Sequence, residues 1–408
     1  MKYNHRIPVC FLFTAIILFS VKSHGQLQVD TGNKALLKKI DRSFSNAGNQ
    51  YKLLAAQVSD SVFPKTFDAA KNKIETSNSG WWCSGFYPGS LLYLYRQTKD
   101  PVLYNEAVHK LKILQQEQFN THTHDLGFMM YCSFGNANLI KHSVENDSIL
   151  LRSARSLSTR FNPAVGCIKS WDGKPNEFLV IIDNMMNLEL LFWAARYSGD
   201  SSFYKIAITH ANTTIKNHFR SDNSSYHVIN YDATTGKVVS RRTAQGAADS
   251  SAWARGQAWG LYGFTVMYRE TKDPIYLQQA NKIASFILDH PNFPTDKIPY
   301  WDFNAPGIPN ALRDASAAAI IASALIELST YSDKPASKKY ISVAETILNT
   351  LLSEKYTATS GSNGGFILKH GVGHKPAGTE VDEPLSYADY YFIEAMTRYK
   401  EQFSSDLR

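Results

Sequence analysis

Apolar residues recur along most of the chain with the spacing of an α-helix, and the pattern falls into two kinds of segment. The first kind is amphipathic, which predicts outer helices with one face in solvent, at 34–58, 101–119, 145–161, 201–218, 274–289 and 335–354. The second kind is richer in Gly, Ala and Ser and more continuously apolar, which is typical of helices buried on all sides. It predicts inner helices at 84–97, 126–138, 183–197, 253–270, 313–331 and 386–401.

The turns between the two kinds of helix share one pattern. An inner segment ends in aromatic residues, a short polar turn follows, and an outer segment begins, as in LLYLYRQ-TKD-PVLYNEAVHKL. Aspartate stands where it would cap the outer helix, and proline where the first helical turn tolerates it, at Asp100, Asp200, Asp273, Pro101, Pro274 and Pro335. Six alternating pairs joined by tight turns predict an all-α fold, an (α/α)6 barrel in one domain.

The connections that lead into the inner helices are mostly long. They cover 59–83, 162–182, 219–252, 290–312 and 355–385, whereas the connections that leave the inner helices are short. In an alternating barrel all the long connections lie at one rim, beside the N-termini of the inner helices. Long loops on a rigid scaffold are where binding and catalytic residues usually lie, so we expect the functional site at this rim.

Two acids stand at the starts of successive inner helices, Asp125 in HTHDLGF and Asp183 in VIIDNMMN. A carboxylate in such apolar surroundings is costly unless it is paired, hydrogen-bonded or protonated, so a catalytic acid is one interpretation. Helix capping is the alternative for Asp183 and for the His124–Asp125 pair. Arg255 could likewise bridge a helix end, and for Asp314 capping is the favoured interpretation.

Several other site classes lack their sequence signals. The chain contains no GxxxxGK[ST], no GxGxxG after a strand, no HExxH and no GxSxG, and its histidines lack metal-ligand spacing. We therefore expect neither a metal nor a cofactor. The formal net charge is +7, with positive residues scattered rather than clustered, which argues against a nucleic-acid partner. Cys83, Cys132 and Cys167 indicate neither a zinc site nor a disulfide framework.

The N-terminus has the pattern of a secretory signal. Lys2 and Arg6 precede an apolar run at 7–21, and Ser23-His24-Gly25 offers small residues for cleavage. We predict a signal peptide at 1–25, a catalytic domain at 26–408 and a periplasmic location. The apolar run is short for a membrane span, so no stable membrane association is expected after cleavage.

Four segments closely resemble one enzyme family. HDLGFMMYCSFGNA, IIDNMMNLELLFWAA, SSAWARGQAWGLYGFT and GVGHKPAGTEVDEPLSYADYY resemble the unsaturated glucuronyl hydrolases of glycoside hydrolase family 88, over nearly all of the chain after the signal. The resemblance implies an (α/α)6 barrel, Asp183 as general acid/base and Asp125 as a second essential aspartate. It implies substrate contacts at Trp82, His124, Trp171, His227, Gln245, Trp253, Arg255 and Trp259. Cys83 departs from the family motif, where threonine is expected.

The resemblance also implies the reaction. Members of the family remove the unsaturated uronic acid that lyases leave at the non-reducing end of glycosaminoglycan fragments, by adding water across the C4=C5 bond. Such chemistry requires Asp183 to carry a proton, which an apolar setting and a neighbouring anion would favour by raising its pKa. The alternatives are another (α/α)6 enzyme, such as an unsaturated rhamnogalacturonyl hydrolase, a lyase or a glycosidase acting on saturated chains, and a non-catalytic periplasmic glycan-binding protein.

Overall fold

The computed structural model describes residues 33–404, so the predicted signal peptide at 1–25 lies outside the described residues. Twelve α-helices in this range alternate between an outer and an inner layer, beginning with an outer helix. They are α1 Lys34–Ala55, α2 Phe86–Thr98, α3 Pro101–Leu114, α4 Asn136–Ile140, α5 Val144–Ser158, α6 Leu188–Ser198, α7 Ser201–Asn217, α8 Ala254–Thr271, α9 Pro274–Asp289, α10 Ala315–Ser329, α11 Lys334–Leu351 and α12 Ser386–Phe403.

The inner helices form a closed ring. α10 packs against α8 on one side and α12 on the other, and α12 packs against α2. The two layers differ in burial as their sequences predict. In α10 every residue except Glu327 is buried, whereas α11 buries one stripe, which consists of Tyr340, Ala344, Ile347, Leu348 and Leu351. The predicted (α/α)6 barrel is confirmed by this ring and by the solved structures compared below.

The predicted helix caps are confirmed. Asp100, Asp200 and Asp273 accept hydrogen bonds from the backbone N–H groups of Val102, Ser202 and Ile275. Each cap satisfies a backbone donor that the first helical turn leaves without a partner. The short turns between inner and outer helices are therefore fixed by local sequence.

Nine short strands lie in the long connections, where the helical pattern indicates no element. They form four small antiparallel sheets that contain β1 Phe63–Asp68, β2 Lys73–Ser77, β3 Phe161–Asn162, β4 Cys167–Ile168, β5 Glu177–Ile181, β6 Val228–Asp232, β7 Val238–Arg242, β8 Gly371–His374 and β9 Thr379–Glu383. β5, β6 and β7 form one three-stranded sheet. These hairpins build the walls of one rim of the barrel.

Two inner helices begin irregularly. Residues Gly127–Gly135 form a π-helix before α4, and Ile182–Asn187 form a 3-10 turn before α6. A Cβ at Gly127 would lie 2.5 Å from Cα of Asn187, so only glycine permits this approach of the two segments. π-Helical turns occur frequently at functional sites. Asp125 and Asp183, the two acids predicted to be functional, belong to these irregular starts.

Between residues 33 and 404, no helix combines the length and the apolar character that crossing a bilayer requires.

Candidate active site

Asp183 lies in the 3-10 turn that joins β5 to α6 and is only 9% exposed. The residue at the N-cap position of this turn is Ile181, and no side chain caps it, so the capping alternative for Asp183 is wrong. Oδ2 of Asp183 is buried and has no hydrogen-bond partner among residues 33–404. The Nε2 atom of His227 lies 3.8 Å from it, which is beyond hydrogen-bond distance.

Burial raises the pKa of the Asp183 carboxyl to about 7, and the negative charge of Asp125 adds to the rise. The charge of Arg255 and the indole N–H of Trp259 act in the opposite direction. A carboxyl group with this pKa carries a proton in about half of the molecules at neutral pH. Asp183 can therefore both donate and accept a proton under physiological conditions, as a general acid/base must.

Asp125 lies two residues before the π-helix. Its Oδ2 accepts a hydrogen bond from the Thr123 hydroxyl at 3.2 Å and lies 3.4 Å from Nε2 of His124. His124 is 2% exposed, and burial lowers the pKa of its imidazole despite the neighbouring Asp125. The N–H of Phe128 donates to the Asn187 side-chain oxygen at 3.0 Å. This bond joins the two irregular segments, and so fixes the position of Asp125 relative to Asp183.

His227 precedes β6 and faces Asp183. Its Nδ1 accepts hydrogen bonds from the backbone N–H groups of Ala244 and Gln245, both at 3.2 Å. Burial lowers the pKa of the His227 imidazole well below its usual value. A neutral imidazole that accepts at Nδ1 must carry its proton on Nε2, which is the nitrogen nearest Asp183. His227 thus presents a hydrogen-bond donor toward Oδ2 of Asp183.

Two tryptophans enclose His227. The Trp253 ring lies 4.5 Å from the imidazole, measured between centroids, and the Trp171 ring meets it edge-on at 5.7 Å. Trp253 is buried and begins α8, whereas Trp171 is half-buried and comes from the long connection before β5. Both predicted tryptophans therefore lie on the same wall of the site.

A second aromatic group closes the floor of the site. Trp82 lies 5.7 Å from Phe128, and Phe128 lies 5.0 Å from Trp259, again between ring centroids. Trp259 is fully buried, and its Nε1 has no hydrogen-bond partner within the described chain. This apolar floor removes water from around Asp183, which explains why burial dominates its pKa.

Arg255 is 1% exposed and its guanidinium group is occupied by the protein. Its two terminal nitrogens donate to the carbonyl groups of Val372 and Gly373, each at 2.6 Å, and one also contacts Asp314 at 3.2 Å. A bidentate contact with a substrate carboxylate or sulfate would have to use the N–H groups that these bonds leave over, because each terminal nitrogen already donates to a carbonyl group. Contact of Arg255 with substrate stays a prediction that rests on its charge beside Asp183.

Gln245 also binds β8, the strand that Arg255 contacts. Its side-chain nitrogen donates to the Gly373 carbonyl at 3.1 Å, and its backbone N–H donates to His227. Asp314 accepts from the N–H of Ser316 at 3.0 Å and so caps α10, which confirms the capping interpretation for this residue. Gln245, Arg255 and Asp314 together hold β8 against the site.

The structure adds Tyr387, which the sequence patterns did not single out. This residue begins α12, its ring lies 4.8 Å from Trp82, and the Arg255 guanidinium lies 5.2 Å from its ring. Tyr387 is 2% exposed, and its hydroxyl has no hydrogen-bond partner among residues 33–404. Its place in the first turn of an inner helix, within SYADYY, is the signal that could have identified it.

The ten predicted residues are brought together at one rim. Contacts run from Asp183 through His227, Trp253, Arg255, Tyr387, Trp82 and Phe128 to Trp259, whose N–H acts on Asp183. Asp125 and His124 join through their contact and through the charge of Asp125. The role of each residue stays a prediction.

A cavity of about 390 Å³ lies further along the bore, but it does not include Asp183 or Asp125. Its charged groups have partners within the protein. Glu394 accepts a hydrogen bond from Tyr262 at 3.0 Å, and Arg398 donates to Tyr262 at 2.7 Å and to Glu327. The rim is the candidate active site, because Asp183, His227 and Tyr387 there carry buried polar atoms without partners in the described part of the chain. Within residues 33–404, no group of three His, Cys, Asp or Glu side chains could hold a metal ion.

Cys83 lies in the core beneath the rim. Burial raises the pKa of its thiol to about 12, so the thiol stays protonated at neutral pH. A protonated, buried thiol is a poor nucleophile. The cysteine that departs from the family motif is therefore a packing residue in this arrangement.

Comparison with known proteins agrees with the site. The family model described as Glycosyl Hydrolase Family 88 matches residues 55–403. An unsaturated glucuronyl hydrolase from Formosa agariphila is 44% identical over 90% of this chain and 92% of its own length. An unsaturated chondroitin disaccharide hydrolase from Streptococcus pneumoniae is 31% identical over 84% of this chain and 86% of its own.

A solved structure is also similar. The crystal structure of an unsaturated glucuronyl hydrolase specific for heparin matches with a TM-score of 0.88 and 45% identity, and the match covers 91% of this chain and 99% of that one. The resemblance that the sequence motifs indicate is confirmed by these matches. The chain belongs to Glycosyl Hydrolase Family 88 and is a hydrolytic enzyme.

Proposed function

We propose that this enzyme removes the Δ4,5-unsaturated glucuronic acid from the non-reducing end of lyase-generated glycosaminoglycan oligosaccharides by hydrating the C4=C5 bond. The observation that carries the mechanism is the state of Asp183. It is a buried carboxyl with a pKa raised to about 7 and with an oxygen that has no protein donor, beside Asp125 and a neutral His227.

The reaction needs a proton donor before it needs a nucleophile. The C4=C5 bond is an enol ether, so protonation at C4 produces positive charge at C5 that the ring oxygen shares. The proposed donor is Asp183 in its protonated form, whose carboxylate then takes a proton from the water that adds to C5. The product is a hemiketal, which opens and releases the neighbouring sugar. One acid thus serves both steps, unlike the two carboxylates of ordinary glycosidases.

The other pocket residues have roles that follow from their positions. The negative charge of Asp125 favours the protonated form of Asp183. The same negative charge stabilises the positive charge that develops at C5. The Nε2–H of His227 can donate to a substrate oxygen, because Nδ1 is already occupied by two backbone donors. Trp82, Trp171 and Trp253 offer aromatic faces to a sugar ring.

Absorbance distinguishes the candidate reactions. The unsaturated uronate absorbs in the ultraviolet, and hydration destroys this absorbance, a lyase creates it, and a glycosidase acting on saturated chains leaves it unchanged. We expect loss of absorbance with at least one unsaturated disaccharide from heparin, chondroitin or hyaluronan. Consumption of an unsaturated rhamnogalacturonan disaccharide alone would instead favour an unsaturated rhamnogalacturonyl hydrolase.

Disaccharides from heparin are the first to test. A structure that is 45% identical to this chain belongs to an enzyme specific for heparin, whereas relatives that act on chondroitin disaccharides are about a third identical. We infer that heparin-derived substrates are preferred. Equal or higher kcat/KM on chondroitin disaccharides would contradict this preference and leave the reaction itself intact.

We further propose that residues 1–25 are a cleaved signal peptide and that the catalytic domain, 26–408, is periplasmic. The basic start, the apolar run and the small residues before Gln26 support this location. Fractionation of the native host, with N-terminal sequencing of the enzyme, tests the proposal. An uncleaved N-terminus in the cytoplasmic fraction would contradict it.

A further inference from the structure

We propose that Trp81, together with Lys65 and Glu380, forms the surface that binds the leaving sugar, the ring on the reducing side of the bond that is broken. This inference rests on the proposed function, because it takes the unsaturated uronate to lie in the pocket with Asp183. The leaving sugar must then extend outward over the rim, where these three side chains lie.

Trp81 differs from its neighbour Trp82. Trp82 is half-buried and packs on Tyr387 and Phe128 in the floor of the pocket, whereas Trp81 is 45% exposed. Among the tryptophans between residues 33 and 404, Trp81 is the one that is exposed. It belongs to the segment that leads into α2, at the rim where the inner helices begin. An exposed indole beside a sugar pocket offers a flat apolar face for stacking.

The indole is held in place from one side. Nζ of Lys65, in β1, lies 5.0 Å from the centroid of the Trp81 ring and 3.1 Å from a carboxylate oxygen of Glu380. Glu380 belongs to β9, so the ion pair joins the first and the last hairpins of the rim. The side chains of Lys65 and Glu380 are about one-fifth exposed, which leaves their polar atoms accessible to a ligand.

Glu380 connects this surface with the pocket wall. A Cβ at Gly373 would lie 2.5 Å from Oε2 of Glu380, so the carboxylate lies against the strand whose carbonyl groups Arg255 holds. Burial chiefly raises the pKa of Tyr387, and the negative charge of Glu380 adds to the rise. Arg255, which donates to the carbonyl of Gly373, also lies 5.2 Å from the ring of Tyr387, and Tyr387 lines the pocket beside Trp82. The surface formed by Trp81, Lys65 and Glu380 is continuous with the site.

The chemistry of the three side chains suits a sugar ring. The C–H face of a hexose or hexosamine can stack on the indole of Trp81. Lys65 has three N–H groups, of which one serves Glu380, so the others can donate to a hydroxyl, amide or sulfate oxygen. Glu380 can accept from a hydroxyl or an amine. The ion pair is only partly exposed, so it also holds the two hairpins together, and the substrate comparison below separates this structural role from contact with the sugar.

The test compares two substrates that share the unsaturated uronate. One is an unsaturated heparin or chondroitin disaccharide, and the other is the methyl glycoside of the same unsaturated uronic acid, which lacks the leaving sugar. In Trp81→Ala, the kcat/KM for the disaccharide divided by that for the methyl glycoside is expected to fall about three- to tenfold relative to the wild type. The loss should appear mainly in KM, and Trp81→Phe should recover part of it.

Tyr197→Ala is the matched control, because Tyr197 is a similarly exposed aromatic (46%) at the C-terminal end of α6, away from the rim. In this control, the kcat/KM for the disaccharide divided by that for the methyl glycoside should equal the wild-type value. A Trp81→Ala ratio within twofold of the wild type would overturn the inference while the wild type still consumes both substrates. A wild type that consumes neither substrate would instead remove the proposed function, and this inference with it.

Discussion

Asp183 and Asp389 are both buried aspartates near the starts of inner helices, yet their surroundings differ. Burial raises the pKa of each carboxyl to about 7. Asp389 accepts hydrogen bonds on both oxygens, from the N–H of Leu368 at 2.8 Å, the N–H of Ile367 at 2.9 Å and the Tyr51 hydroxyl at 3.3 Å. Oδ2 of Asp183 has no such donor within the described chain.

The difference separates a structural acid from a catalytic one. The raised pKa by itself does not distinguish them, because desolvation acts on any buried carboxyl. The partners do: Asp389 fixes the segment around 367–368 to the barrel, whereas Asp183 directs an oxygen that lacks a donor toward His227 and the aromatic pocket. A buried polar atom that lacks a partner is costly, and enzymes retain such atoms where a substrate supplies the interaction.

The largest expected effect is on turnover in Asp183→Asn. Asparagine keeps the size of the side chain but cannot transfer the proton, so kcat should fall by about 10³-fold or more. The measurement is absorbance loss of an unsaturated disaccharide. Asp200→Asn, the same substitution at an exposed helix cap, is the control and should turn over normally, since asparagine also caps helices. Turnover of Asp183→Asn at the wild-type rate would remove Asp183 from the mechanism.

The pH profile gives the next largest effect. If the proton on Asp183 is required when substrate binds, kcat/KM should fall about tenfold per pH unit above pH 7, and about 100-fold by pH 9. The relevant measurement is kcat/KM between pH 5 and 9, since this ratio reports ionisations of the free enzyme. A profile that stays flat to pH 9 would contradict a protonated Asp183.

Stability should separate the two aspartates most clearly near pH 4.5, where the raised pKa keeps both carboxyls protonated. In Asp389→Asn an N–H group would face the backbone donors, so the free energy of unfolding at pH 4.5 should fall by about 1–3 kcal/mol, and relief of the buried charge should offset part of this loss at pH 8. In Asp183→Asn the cost of burying an ionised carboxyl disappears. Because the folded-state pKa is raised, this cost is absent near pH 4 and complete above pH 7, where the variant should be about 1–4 kcal/mol more stable.

Denaturant unfolding at pH 4.5 and pH 8 measures both changes. The account expects Asp389→Asn to retain kcat within about threefold while it loses stability, because Asp389 contacts no pocket residue through its hydrogen bonds. Destabilisation by both substitutions at pH 4.5 would show that Asp183 is also a structural acid.

The smallest effect is expected in Trp259→Phe. This change keeps the aromatic floor but removes the indole N–H that lowers the pKa of Asp183. The alkaline limb of kcat/KM should therefore move toward higher pH, with kcat at pH 6 little changed. A downward movement would mean that the indole N–H does not act on the carboxylate form.

The barrel could be predicted from the sequence because its signals are local. The continuous apolar character of α10 and the aspartates that cap the outer helices lie within single turns of the chain. The strands were missed because a short run such as EFLVI, with four apolar residues after one glutamate and followed directly by the 3-10 turn, has no period of its own. The π-helix depends on the approach of Gly127 to Asn187, which is a tertiary contact.

The members of the site could be predicted, but not all of their contacts. Arg255 lies 117 residues from the carbonyl of Val372 that it binds, so only the fold shows that its guanidinium group is occupied. Tyr387 was missed because an aromatic residue at the start of a buried helix resembles any core residue. Whether a hydrogen-bond donor reaches Oδ2 of Asp183 likewise depends on tertiary contacts, because β6, α8 and the π-helix must come together around it.

The central claim is that Asp183 carries a proton near neutral pH in the free enzyme. Carbon NMR titration of protein labelled at the aspartate carboxyl carbons tests it directly, with the Asp183 signal assigned by its absence in Asp183→Asn. We expect this carboxyl to titrate with a midpoint of about pH 7. A midpoint near pH 4, the value of an ordinary aspartate, would contradict a protonated Asp183.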